Sequence, residues 1–141
     1  MKTFLHWGAG LILALHGLIH LLGFASYLKL MTVPTLPYKT AVLGGRLDLG
    51  AAGMSLFGLA WGVAALGFVL VAAAYLSGWA WWRPALTLVT LLSLVITVLD
   101  YGPAWAGIVV NLVILALLML APGWQPRLQH DAGVSKARNR G

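Results

Sequence analysis

Four stretches of the chain stay apolar over lengths that suit a bilayer, whose hydrocarbon core of roughly 30 Å takes about 20 residues of helix. Trp7 to Leu28 contains no Asp, Glu, Lys or Arg, and Ala104 to Ala121 is an 18-residue run interrupted by a single asparagine. Between Asp48 and Arg83 lie 34 uncharged residues. As one helix they would extend about 51 Å and overshoot the bilayer. The best divider is Ser77-Gly78 followed by Trp79, Trp81, Trp82, Arg83 and Pro84. Clustered Trp and Arg suit the headgroup level, and Pro is tolerated at a helix start. The pattern therefore predicts spans at about 5–29, 55–76, 80–99 and 104–121, with Arg46 to Met54 as an interfacial helical extension. The fold class expected is all-α: an integral membrane, antiparallel four-helix bundle over residues 1–122.

The connections divide into an outer and an inner set. Residues 31–45 contain Pro34, Pro37, Gly44 and Gly45, which reads as an irregular cap over the bundle. Asp100-Tyr101-Gly102-Pro103 reads as a turn on the same side. Residues 123–141 are polar and basic without apolar periodicity, the pattern of a flexible tail. A secretory signal is rejected for the first apolar run, which is longer than the usual core of about 7–15 residues and carries His16 and His20.

Composition agrees with the pattern. Of 141 residues, 61% are hydrophobic and 9% are charged. Three acidic residues are too few for a carboxylate-rich catalytic centre, and the lack of cysteine excludes disulfides, thiolate zinc sites and iron–sulfur clusters. The net charge of +6 points to a bilayer with anionic lipids and not to nucleic acid. Lys2, Arg83, Arg127, Lys136, Arg138 and Arg140 fall on the side of the termini, against Lys29, Lys39 and Arg46 on the other. By the positive-inside rule both termini are cytoplasmic, in a multi-pass protein of the inner (plasma) membrane.

Ionisable and amide side chains inside a bilayer are costly, so each requires a reason. His16 and His20 are one turn apart on one face of the first span, and His6 lies within about 80° of both. Two imidazoles at that spacing can share a metal ion, provided a third ligand comes from elsewhere. Thr90, Ser93, Thr97 and Asp100 form a second stripe on span three. Asn111 on span four falls at a depth similar to His20, and Asp48 and Tyr101 are placed to close the outer end. The candidate ligand-binding set is therefore His16, His20, Asn111, Asp100 and Asp48, with His16 and His20 as candidate metal ligands. The competing explanation is packing: hydrogen bonds between membrane helices average only about 0.6 kcal/mol, and the threonine and serine hydroxyls can bond to their own backbone. Gly58 and Gly62, flanked by Ala60 and Ala64, form a GxxxG strip that suits either a homo-oligomer or contact within the bundle. Trp61 alone among the seven tryptophans falls mid-span, where core packing explains it.

The run His16-Gly17-Leu18-Ile19-His20-Leu21-Leu22-Gly23-Phe24, the tryptophan-flanked third span and a fourth span carrying Gly107 and Asn111 resemble a group of uncharacterised bacterial four-helix membrane proteins and the DoxX-like superfamily. The resemblance covers about residues 1–122. It implies an inner-membrane bundle with links to quinone or thiol redox systems, and it transfers no residue's role, because the chain lacks cysteine and that superfamily's catalytic motifs. Three functions follow as expectations: an intramembrane site for a metal ion, haem or quinone-like molecule; a non-catalytic partner or assembly subunit of another membrane protein; or a small permease-like transporter.

Overall fold

The computed structural model describes residues 2–120. Four helices dominate it: α1 (Lys2–Tyr27), α2 (Gly50–Leu76), α3 (Trp82–Leu99) and α4 (Tyr101–Leu120). Each is long and apolar enough to cross a membrane. The division of the long middle run falls where expected, at Ser77 to Trp81, and Gly78 adopts a positive φ of 70° there. The tail at 123–141 and the last residue of the expected fourth span, Ala121, lie outside the described residues.

Sequential helices are antiparallel neighbours. Positions facing one another on α1 and α2 run in opposite order, from Gly10 at Leu76, through Gly17 at Phe68, to Gly58 at Tyr27. On α3 and α4, Arg83 donates to the Leu118 carbonyl at one end, and Gly107 abuts Thr97 towards the other. α1 and α3 consequently run parallel. Glycine sets the α1–α2 distance. A Cβ on Gly17 would sit 2.7 Å from Phe68 Cβ and 2.9 Å from the Ala65 carbonyl oxygen, and one on Gly62 would sit 2.6 Å from the Phe24 ring. The GxxxG strip of α2 is thus occupied by α1 of the same chain.

Two segments depart from the sequence expectation. Arg46 to Met54 is not one helical extension: Leu47–Asp48 pairs antiparallel with Ala41–Val42, and only from Gly50 onward is the stretch helical, as the first turn of α2. The hairpin forms because Leu43, Gly44 and Gly45 take φ of 52°, 65° and 89°, which two glycines permit at little steric cost. The expected turn at residues 100–103 shrinks to Asp100. Tyr101 already opens α4, since Pro103 in a first turn needs no N–H partner, and the Ala104 N–H bonds to the Asp100 carbonyl. Residues 28–49 otherwise cap the bundle as expected, burying Val33, Leu36 and Val42 against Met54, Phe57 and Trp61.

Exposed Trp7, Trp79, Trp81 and Trp105 stand at or near helix ends, as headgroup-level anchors require. The glycine contacts make a sharp expectation. Gly17→Ala should destabilise the folded protein by about 1–3 kcal/mol through overpacking against backbone, whereas Gly8→Ala, with open space at its Cβ, should stay within about 0.5 kcal/mol. Reversible unfolding in mixed micelles measures both, and equal effects would refute the close α1–α2 contact.

Candidate functional site

Turning four apolar helices inward leaves one polar cluster in the bundle. His16 and His20 from α1, Ser93 and Thr97 from α3 and Asn111 from α4 are all buried, His20 at 2% exposure and Asn111 at 0%. The expected meeting of the histidine stripe with spans three and four is therefore present.

Backbone carbonyls, which only accept, fix where the protons lie. The Thr97 hydroxyl donates to the Ser93 carbonyl at 2.7 Å, so its oxygen faces Asn111 as an acceptor. This orients the Asn111 amide, whose Nδ2 donates to Ser93 Oγ at 2.8 Å and to Thr97 Oγ1 at 3.3 Å. Asn111 Oδ1 then accepts from His16 Nε2–H at 3.1 Å. On the other ring, His20 Nδ1–H donates to the His16 carbonyl at 2.9 Å, leaving Nε2 to accept from the Ser93 hydroxyl at 2.6 Å. The bonds run in one direction from His16 through Asn111, Ser93 and His20 back to the His16 backbone. Both imidazoles are neutral in this scheme, which suits a site with no acidic partner at membrane depth. His16 Nδ1 is the one ring nitrogen of the pair without a hydrogen bond among the described residues.

The arrangement bears on metal binding. Both nitrogens of His20 are engaged, and among the described residues no group of three or more His, Cys, Asp or Glu side chains is placed to hold a metal ion. A metal shared by His16 and His20 would have to displace the Ser93 hydroxyl.

Beside the cluster lies a chamber of about 230 Å³, open between α1 and α4. His16, His20, Trp61, Thr97 and Gly107 line it, and Thr35 and Leu36 of the cap close its outer end. No Asp, Glu, Lys or Arg lines it. Trp61 is 4% exposed, and its Nε1–H is the one buried side-chain polar atom without a partner among the described residues.

The remaining candidates stand apart. Asp100 is fully buried at the α3 C-cap, where the Tyr27 hydroxyl donates to Oδ2 and the Lys39 ammonium pairs with Oδ1. It fastens the cap to the bundle, together with the Ser26 hydroxyl bonded to the Leu36 carbonyl at 2.5 Å. Asp48 is exposed on the hairpin and accepts the Gly50 N–H at 2.9 Å. His6 packs on Tyr75, with ring centroids 4.5 Å apart, far down α1 from the other two histidines. Thr90 donates to the Leu86 carbonyl, the backbone bond expected of it. Tyr27 and Lys39 are not among the site residues expected from the sequence, and Trp61, expected only to pack in the core, does so with its indole N–H unpaired among the described residues. The usable signal for Tyr27 is its position seven residues after His20, on the same helix face. Lys39 sits in an aperiodic loop and gives none.

A double-mutant cycle tests the network. His16→Leu and Asn111→Leu are each expected to destabilise, with a coupling energy of about 0.5–1.7 kcal/mol, the upper range for membrane hydrogen bonds. Additive losses in micelle unfolding would mean that the two side chains do not interact.

No protein family matches the chain, and neither does any curated protein or solved structure.

Proposed function

We propose that this chain is a bacterial inner-membrane protein that binds a small, neutral, quinone-like molecule in the chamber between α1 and α4. The observation that carries the reading is the chamber lined by His16, His20 and Trp61, the last with a buried Nε1–H that has no acceptor among the described residues. An unpaired buried donor costs about 1–3 kcal/mol, and a ligand carbonyl would relieve that cost. His16 Nδ1 supplies the complementary acceptor for a ligand hydroxyl. A quinone offers the first group and its reduced form the second. The chamber volume lies below the roughly 300–1,000 Å³ of drug-sized pockets, which favours a single substituted ring over a haem macrocycle. The uncharged lining favours a neutral headgroup over an ionic one.

Binding of a substituted 1,4-benzoquinone to the protein in lipid nanodiscs tests the reading. Trp61→Phe should weaken it about three- to tenfold, the value of one hydrogen bond. If the protein is only a packing or assembly subunit, no saturable binding will be seen.

The positive-charge asymmetry supports both termini being cytoplasmic, with the cap outside. A lone cysteine replacing Thr32 in the cap should react with membrane-impermeant maleimide in intact cells, and one replacing Lys136 should react only after permeabilisation. The reverse pattern would invert the topology.

A further inference from the structure

The quinone-like reading concerns only the headgroup, but the seam that holds the chamber continues beyond it. Direct helix–helix packing joins α1 to α2, α2 to α3 and α3 to α4. α1 and α4 meet more sparsely, through the His16–Asn111 hydrogen bond and the shared hydrophobic cluster of Leu13 and Ile114. Either side of that bond lies a hollow. The outer one is the polar chamber. The inner one, about 290 Å³, is walled by Ala9, Leu13, Leu86, Ile114, Leu117 and Leu118. Facing positions descend in step along the two helices: His20 and Gly107, His16 and Asn111, Leu13 and Ile114, Ala9 and Leu118. Leu13, Leu86 and Ile114 form a buried floor, and Ile12 and Leu117 stand exposed on the rims. The two hollows share no lining residue and are parted by the His16–Asn111 bond. Lying in line along one seam, they mark a segmented trough about 17 Å long, from His20 to Ala9 at 1.5 Å per residue.

The trough changes character at the His16–Asn111 bond. Outward of it are imidazole, indole and hydroxyl groups, and inward of it the walls are hydrocarbon as far as Tyr75 and Trp82. The outer end is shut by Thr35 and Leu36, fastened through Ser26 and through the Lys39–Asp100 pair. A substituent on a ring seated in the chamber can leave sideways past Ile19, Leu22 and Val110 or follow the seam inward, and only the inward course offers a walled groove.

We propose that the natural ligand is an amphiphile, a neutral ring bearing a long hydrocarbon chain, with the chain lying in the groove between Ala9, Leu13, Ile114 and Leu117. This rests on the quinone-like reading of the chamber and adds the direction and seat of the chain. Lipid is as apolar as the groove, so moving the chain from one to the other gains contacts and a fixed orientation and little hydrophobic free energy. Obstruction of the groove is therefore the sensitive probe.

The experiment uses the full chain in nanodiscs and two probes, a substituted 1,4-benzoquinone without a chain and the same ring with a decyl chain. Bound ligand is separated and quantified by absorbance. Ala9→Phe should weaken the decyl probe about tenfold by overfilling the groove, and leave the chainless ring within about twofold, which is the scatter of an unaffected site. Leu117→Phe narrows the same groove from an exposed rim and decides the matter if Ala9→Phe does not fold. Unchanged decyl binding in the folded variants overturns the groove while leaving the chamber reading intact. Failure of the chainless ring to bind the parent protein, or binding indifferent to Trp61→Phe, overturns the chamber reading and this one with it.

Discussion

Hydrocarbon offers no water to complete a hydrogen bond, so a polar group carried into the bilayer must find its partner within the protein. The centre of this bundle depends on that constraint. Asn111 has an acceptor and two donors to satisfy at 0% exposure, and it uses His16, Ser93 and Thr97 for them. Those partners come from two other helices, which fixes the rotation of α1, α3 and α4 about their axes. An all-apolar bundle could rotate with little loss, because leucine in lipid is nearly as content as leucine in a core. The direction of the bonds is set by the His16 and Ser93 backbone carbonyls, each of which accepts a side-chain proton.

The second determinant is the unequal closeness of the helices. Glycine at positions 10, 17 and 23 of α1 and at 58 and 62 of α2 draws that pair together, with aromatic or leucine side chains filling the spaces. At the edge of that contact the His16 and His20 rings pack on Phe68 of α2, and His16 reaches on to α4, with the His16–Asn111 bond as the tie. A bundle pulled tight on one side and bridged on the other keeps an open seam. The trough is thus a consequence of where glycine and histidine were placed on one helix.

The legibility of this architecture in the sequence follows its physics. Span number and division are plain because a bilayer demands about 20 apolar residues, and Ser77 to Arg83 marks the break with glycine, tryptophan and arginine. The pairing of His16 and His20 with Ser93 and Asn111 is legible because the cost of a polar group in lipid leaves it few other places. The hairpin at residues 41–48 is not, since two residues per strand carry no alternation, and the positive φ of Leu43 breaks the rule for a branched side chain. The Tyr27–Asp100–Lys39 group is half visible: Asp100 stands out by charge and is expected near the outer mouth, whereas nothing in the sequence marks Tyr27 and Lys39 as its partners. Asp100 lies about two turns beyond Ser93 along α3, which is far enough to serve a separate task.

That separation bears on how a ligand reaches the chamber. Charge sits where the cap joins the bundle, and the mid-membrane cluster has none. Lys39 reaches inward from a partly exposed position to a fully buried Asp100, an arrangement that resists opening because parting the pair would strand a carboxylate in an apolar setting. The cap is therefore the firm wall of the chamber and the α1–α4 seam the soft one, where the only polar tie among the described residues is the neutral His16–Asn111 hydrogen bond. On the proposed reading, a molecule already dissolved in the bilayer meets only exposed Ile19, Leu22 and Val110 at the edge of the opening, with no ion pair in its way. A firm cap and a soft lateral seam thus suit the lipophilic ligand proposed above, entering sideways, independently of the hydrogen-bonding groups inside.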